Sequence, residues 1–167
     1  MKLDELYRQI QPRIYAYFFA RTLNREAAED LTHEAFYQAM KSMSSFSGRS
    51  SVQTWIFTIA RHVLSKYYRS KSYGQSLASK LEQEQNQQKA GSNAAEELVI
   101  RKEEQKKLLD AIHQLDELSR EIIILRIYGE LSFKEIGELT GKSENYARVA
   151  FHRAKLKLHK ELEGYYA

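Results

Sequence analysis

Leu131-Ser-Phe-Lys-Glu-Ile-Gly-Glu-Leu-Thr140-Gly-Lys-Ser143-Glu-Asn-Tyr-Ala-Arg148-Val-Ala-Phe-His-Arg-Ala-Lys155 is the stretch on which the fold turns. Ser132 is followed three residues later by Glu135 and preceded by apolar Leu131. That spacing starts a helix: the serine hydroxyl accepts a backbone N–H of the first turn, and the glutamate reaches back to the serine N–H. The helix so started buries Phe133, Ile136 and Leu139 and stops at Thr140-Gly141. There glycine enters the left-handed conformation that ends a helix. Ser143 is placed to cap a second helix, whose inner positions Ala147, Phe151, Ala154 and Leu158 are spaced four, three and four. Its outer face carries Asn145, Arg148, His152 and Lys155, flanked by Arg153, Lys157 and Lys160.

Five Lys or Arg against one acid lie between Glu144 and Lys160, so the second helix is far more basic than the first. Two short helices across a glycine turn, the second basic, predict a helix-turn-helix from about Leu131 to Lys160. Cations would meet phosphates, and Arg or Asn on the leading turns would reach base edges in the major groove. A three-helix bundle with a solvated basic face shares the spacing, but the capping box, glycine turn and basic helix together favour DNA. The candidate contacts are Ser143, Asn145, Arg148, His152, Arg153 and Lys155.

Working outward, the run Ile122-Ile-Ile-Leu125, within a helix through Ser119 to Tyr128, is apolar enough to be the core helix of this half. A longer helix precedes it, with Leu98, Leu108, Ile112 and Leu115 at its apolar positions. Further upstream, residues 72–95 are rich in Gln, Ser, Asn and Lys and nearly lack large apolar side chains, so they cannot build a core and read as a flexible linker. Beyond it, residues 1–71 hold three helical patterns. The first places Leu3, Leu6, Tyr7, Ile10, Ile14, Tyr17 and Phe18 at helical spacing. The second, from about Arg25 to Met43, buries Ala28, Leu31, Ala35, Phe36 and Ala39 and turns Glu26, Glu29, Asp30 and His33 outward. The third begins near Ser51, with a stripe of Val52, Trp55, Ile56, Ile59, Ala60, Val63, Leu64 and Tyr67 opposite Thr58, Arg61, His62, Ser65, Tyr68 and Arg69. The expected fold is all-α: two small helical domains, 1–71 and 96–167, joined by a flexible linker.

Composition narrows the function. One proline and seven glycines in 167 residues favour helices over a turn-rich β fold. With no cysteine, disulfides and thiolate metal sites are excluded, and a reducing cytoplasm is expected. No apolar run approaches the roughly 18 residues of a membrane span, and acids stand where a signal peptide is apolar. The sequence holds no phosphate-binding loop, dinucleotide glycine fingerprint, nucleophile elbow or zinc-protease motif, and its five histidines are scattered. No enzyme, cofactor or metal is expected. A net charge of +4 says little until its distribution is seen. Between Glu34 and Glu82 there is no acid, while Lys41, Arg49, Arg61, Lys66, Arg69, Lys71 and Lys80 fall there. Just upstream Glu26, Glu29, Asp30 and Glu34 cluster, so two surfaces for two partners are expected.

The segment Leu115 to Leu139, with His152-Arg-Ala-Lys155, resembles the C-terminal (σ4) domain of bacterial extracytoplasmic-function sigma factors. Ala28-Glu-Asp-Leu-Thr-His-Glu-Ala-Phe36 is similar to the part of the family's N-terminal (σ2) domain that docks on the clamp of RNA polymerase. Ser45-Phe-Ser-Gly-Arg-Ser-Ser-Val-Gln-Thr-Trp-Ile-Phe-Thr-Ile-Ala-Arg61 resembles the stretch that recognises and melts the −10 element. The resemblance covers nearly the whole chain in order. It implies a factor that binds core RNA polymerase and directs it to particular promoter DNA, reading −35 with the helix-turn-helix. It places Glu29, Asp30, His33 and Glu34 at the polymerase, and Phe46, Arg49, Ser50, Arg61, His62, Ser65 and Arg69 at the −10 element and melted strand. Trp55 lies on the apolar stripe and is expected in the core. Family members are often held inactive by an anti-sigma factor, frequently membrane-bound. The chain departs from the family pattern at His62 and Ser65, where many relatives carry Asn and Asp, at Ala150, commonly basic, and at Asp116, usually proline. Two rival readings are a dimeric helix-turn-helix regulator and a polymerase-binding inhibitor.

Overall fold

The computed structural model describes residues 3–73 and 96–166. The polar stretch 74–95, with Lys80 in it, and the side chains of Leu3, Tyr73 and Leu98 lie outside the described residues. Seven α-helices are described: α1 Leu3–Thr22, α2 Arg25–Lys41, α3 Val52–Tyr73, α4 Glu96–His113, α5 Glu117–Ile127, α6 Phe133–Thr140 and α7 Glu144–Tyr166. A 3-10 turn at Met43–Ser45 follows α2, so the second helix ends at Lys41 rather than Met43. The third runs to Tyr73, two residues beyond the boundary placed at 71.

Short polar side chains start most of these helices. Asn24 accepts from the Ala27 N–H at 3.0 Å to begin α2, and the Ser51 hydroxyl accepts from the Thr54 N–H at 3.1 Å to begin α3. Asp116 accepts from the Ser119 N–H and holds its own carboxyl below the usual aspartate range through hydrogen bonds with Ser119. The substitution for proline therefore gives α5 a sound N-cap.

The helices of each half close on their predicted apolar faces. Ile10, Ile14, Tyr17 and Phe18 of α1 meet Ala28, Leu31, Ala35 and Ala39 of α2 and Ile56, Ala60 and Leu64 of α3. In the second half Ile122, Ile123, Ile124 and Leu125 are all fully buried, together with Ile112, Leu131, Ile136 and Ala147. Four consecutive buried positions leave α5 covered on every side, which no amphipathic surface helix shows. Full burial of each such side chain stabilises by about 1.5–3 kcal/mol.

The cover on the far side of α5 comes from the other half. The buried residues of both halves form one continuous core, with α1 and α3 packing on α5 and α6. Phe57, absent from the predicted α3 stripe, is fully buried because it turns toward the second half, against Tyr17 and Gly129. A Cβ at Gly129 would lie 2.7 Å from the Leu125 carbonyl oxygen and 3.2–3.3 Å from the Phe57 ring, so only glycine permits this approach.

Candidate nucleic-acid interfaces

The helix-turn-helix forms as its sequence dictates. Ser132 accepts from the Glu135 N–H at 3.1 Å while Glu135 Oε1 accepts from the Ser132 N–H at 3.2 Å, completing the capping box. Gly141 adopts φ 71° at the C-terminus of α6. Ser143 then spends its hydroxyl on the Tyr146 N–H at 3.0 Å, so it starts α7. Gly137 lets the turn close, with the Lys142 carbonyl oxygen 2.7 Å from where a Cβ would stand and the Lys142 N–H donating to the Gly137 carbonyl at 2.9 Å.

On α7, Asn145, Arg148, His152, Arg153 and Lys155 are all exposed, while Ala147, Ala154 and Leu158 are buried beneath them. Arg148 is the most ordered of the outer set. Glu144 accepts from its guanidinium at 3.2 Å one turn back, and the guanidinium carbon stands 5.6 Å from the Phe133 ring centroid. Arg126 covers that ring as well, at 4.3 Å.

The acidic set on α2 is equally presented. Glu29, Asp30, His33 and Glu34 are exposed, with Gln38 donating to Glu34 at 2.9 Å. In the segment before α3, Arg49 is exposed beside Gly48 at φ 74°, and Ser50 is half-buried. Phe46 packs 5.0 Å from the half-buried Trp55 ring, which lies against the core as its place on the apolar stripe requires.

On α3, His62, Ser65 and Arg69 are exposed too, and of that set only Arg61 is half-buried. Arg61, His62, Ser65 and Arg69 line a cleft of about 930 Å³ whose opposite wall is Glu117, Leu118 and Glu121 of α5 with Thr140 of α6. Arg61 spans it: its Nε lies 3.5 Å from Glu121 Oε1, and its Nη1 donates to the Leu139 carbonyl. Glu121 is itself 6% exposed and accepts from the Tyr17 hydroxyl at 2.7 Å, with Arg21 Nε at 3.4 Å from its other oxygen. Burial first, and the adjoining Glu121 second, push the Tyr17 hydroxyl well above the usual tyrosine range, so it stays a donor.

Two further contacts flank this cluster. Arg13 donates to the Gly129 carbonyl at 2.8 Å and pairs with Glu130 at 3.5 Å. Ser51 and Thr54 both donate to Glu135 Oε2 at 3.2 Å, so the capping glutamate of α6 also caps the contact with α3. Burial works to raise the Glu135 carboxyl, but the hydrogen bonds from Ser132, Ser51 and Thr54 outweigh it and leave it lowered.

Sequence reasoning did not single out Glu121, Arg21 or Arg13, and took Tyr17 only as an apolar position of α1. The one available signal was an acid directly before four apolar residues, Glu121 ahead of Ile122, in a helix too apolar to be one-sided. Among the described residues no group of three or more His, Cys, Asp or Glu is placed to hold a metal ion.

The family pattern described as Sigma-70 region 2 matches residues 6–73, and Sigma-70, region 4 matches residues 105–158. RNA polymerase sigma factor YlaC of Bacillus subtilis is 31% identical over 160 residues, covering 96% of this chain and 91% of that one. ECF RNA polymerase sigma factor SigX of the same organism is 26% identical over 159 residues, covering 95% and 82%. The sigma factor RpoE, solved in complex with the anti-sigma factor NepR from Bartonella quintana, superposes with a TM-score of 0.67 at 19% identity over 96% of both chains. CnrH, solved with the cytosolic domain of CnrY, superposes at 0.65 and 19% identity, covering 96% and 87%. At that identity the two structures establish a shared fold.

Proposed function

This chain belongs to the extracytoplasmic-function sigma factors of the sigma-70 family, and from that premise we propose how its two halves divide the work of directing RNA polymerase to promoters. The N-terminal half, 1–71, docks on the polymerase clamp through Glu29, Asp30, His33 and Glu34. It reads and melts the −10 element with Phe46, Arg49, Ser50, Arg61, His62, Ser65 and Arg69. The C-terminal half, 96–167, reads −35 with Asn145, Arg148, His152, Arg153 and Lys155, while Ser143 sets the start of that helix. Residues 72–95 link the two.

The observation that carries this reading is the segregation of surfaces. A wholly exposed acidic row on α2 and an exposed basic row on α7 sit at different ends of one chain, with an acid-free α3 between them. Opening a duplex costs a few kcal/mol per unstacked base, which cationic and aromatic side chains around a single strand offset. Arg49 beside Gly48 suits that task better than Trp55, whose ring is committed to the core. His62 and Ser65 at positions where many relatives carry Asn and Asp give this chain a −10 preference of its own.

The protein acts without a catalytic centre of its own, lending specificity to the polymerase. It works in the bacterial cytoplasm; no described helix is long and apolar enough to cross a membrane. RpoE was solved with the anti-sigma factor NepR and CnrH with the cytosolic domain of CnrY, and an anti-sigma factor, in some families membrane-bound, controls this chain too. Run-off transcription with purified core polymerase tests the function. New transcripts starting at defined promoters are expected on adding the protein; a regulator or inhibitor gives none.

A further inference from the structure

The outward centre of α7 is not its most basic part. Arg148 leans toward α6: Glu144 accepts from its guanidinium at 3.2 Å, and the guanidinium carbon stands 5.6 Å from the Phe133 ring centroid. Tyr146 takes the other flank, with Lys142 Nζ 5.0 Å from its ring centroid. Each residue turns a helix by about 100°. Val149 therefore falls between those two flanks, on the side opposite Ala147, Ala154 and Leu158, which face the core. It is 39% exposed, one turn after Asn145 and one turn before His152, and both of these are exposed as well. Its sequence neighbours Ala150 and Phe151 pack against the core.

A lone exposed valine is ordinary on a protein surface. On this helix it has a consequence. Arg148, Arg153 and Lys155 face solvent around it, so a duplex drawn to those cations brings its major groove against Val149. Phosphates and polar base edges offer an apolar side chain no partner, and covering them removes their water without replacement. Of the four bases, only thymine carries an apolar group in the major groove, its 5-methyl. Valine suits that contact, because its β-branch holds one rotamer in a helix and little freedom is lost on binding. Leu156 lies on the same line and is 66% exposed, but it stands two turns later, about 10 Å along the axis. The leading turns are the ones a helix-turn-helix places against base edges, and they hold Val149.

We propose that Val149 is a specificity-determining residue of α7, one that reads a single thymine of the −35 element through its 5-methyl group; this rests on the assignment of α7 to the −35 major groove. It adds an apolar reader to the polar set Asn145, Arg148, His152, Arg153 and Lys155. The cations supply attraction, much of which any sequence shares. Val149 supplies discrimination at one base pair, where cytosine lacks the methyl and sets its N4 amino group nearby instead.

Thymine and uracil pair alike and differ by that methyl alone, which makes the test specific. A promoter is first defined by run-off transcription with core polymerase and the full chain. In that duplex each −35 thymine, on either strand, is replaced singly by uracil, and holoenzyme affinity is measured by competition. One replacement is expected to weaken binding by the parent about fourfold, the worth of one methyl group withdrawn from water. Val149→Ser, close to valine in helix propensity, should bind that thymine duplex and its uracil counterpart equally. Circular dichroism checks that the variant folds. The assignment is overturned if no uracil weakens the parent, or if the same loss persists in Val149→Ser. It is overturned too if Leu156→Ser abolishes the difference and Val149→Ser does not. Arg148→Ala and Lys155→Ala on the same duplex separate the underlying reading. If neither changes affinity, α7 does not meet −35 and both assignments fall. If they weaken binding while every uracil duplex binds as its thymine parent does, α7 reads −35 but Val149 reads no methyl.

Discussion

Gly137→Ala measures how closely the helix-turn-helix is packed. The residue is buried in α6, and a Cβ there would stand 2.7 Å from the Lys142 carbonyl oxygen and 3.1 Å from both the Ser143 carbonyl carbon and its oxygen. All three atoms are backbone, so no side-chain rotation relieves the clash. The turn must move away from α6 and loosen the Lys142 N–H bond to the Gly137 carbonyl. Overpacking of this kind costs about 1–3 kcal/mol, and rigid backbone on the receiving side argues for the upper part of that range. Alanine recovers about 1 kcal/mol of helix propensity relative to glycine. The net expectation is a loss of about 1–2 kcal/mol, which lowers the melting temperature by about 2–8 °C in a chain of this size. Because α7 follows the turn, binding to a duplex promoter fragment should fall as well. Gly141→Ala is the matching control: a Cβ there meets nothing within 4 Å, but φ 71° costs an L-residue about 1–2 kcal/mol. Urea unfolding with unchanged slope gives both values. A Gly137→Ala chain as stable as the parent, or more stable, would refute the packing argument, since propensity alone predicts a gain.

Tyr17→Phe removes the 2.7 Å hydrogen bond to buried Glu121 and should cost about 1.5–3 kcal/mol in urea unfolding; a loss below about 0.5 kcal/mol means that the hydroxyl does not support the carboxylate. Glu135 has a lowered carboxyl, so its contribution is present above the unfolded value near about pH 4.3 and is lost as pH falls through the lower folded value. Thermal melts should therefore show the parent ahead of Glu135→Gln at neutral pH and level with it under strongly acidic conditions; a constant gap across pH contradicts this. Arg148→Ala should weaken promoter binding by about 1–3 kcal/mol at the −35 element in fluorescence anisotropy, with equal loss on random DNA marking a mere phosphate contact. Asp30→Lys should reduce affinity for core polymerase in a titration while leaving −35 duplex binding unchanged, and intact polymerase affinity removes Asp30 from the docking set.

What could be read in advance depended on how local the cause is. The capping box at Ser132 and Glu135, the left-handed Gly141 and the start at Ser143 are decided within four residues of sequence, and all form as expected. Helical periodicity similarly gave the buried faces of α1 and α2, except that Tyr7 is exposed and meets only the edge of the half-buried Phe36 ring. Phe57 was missed because its burial is caused by a helix more than sixty residues away, which periodicity within α3 cannot register. Arg61 was rightly placed on the polar face of α3, but nothing local shows that Glu121 and Leu139 meet it. Glu121 drew no notice in the sequence for the same reason, since its partners lie on α1 and α3. The exposure of the proposed site residues on α2 and α7 was legible because side chains that face solvent need only their own helix to place them.

The contact between the halves joins an apolar centre to a polar rim. A wholly apolar contact of similar extent would hold the halves more tightly, because no polar group would give up its hydration to form it. Here an apolar centre, Phe57 on Gly129 beside Tyr17, is ringed by Arg13, Arg61, Ser51 and Thr54, whose partners are carbonyls and carboxylates. Each polar pair is nearly neutral between closed protein and water, yet costly when only one partner remains buried. Losing Glu121 alone strands Arg21, whereas parting both α1 and α3 from α5 would hydrate Arg21, Arg61 and Glu121 together.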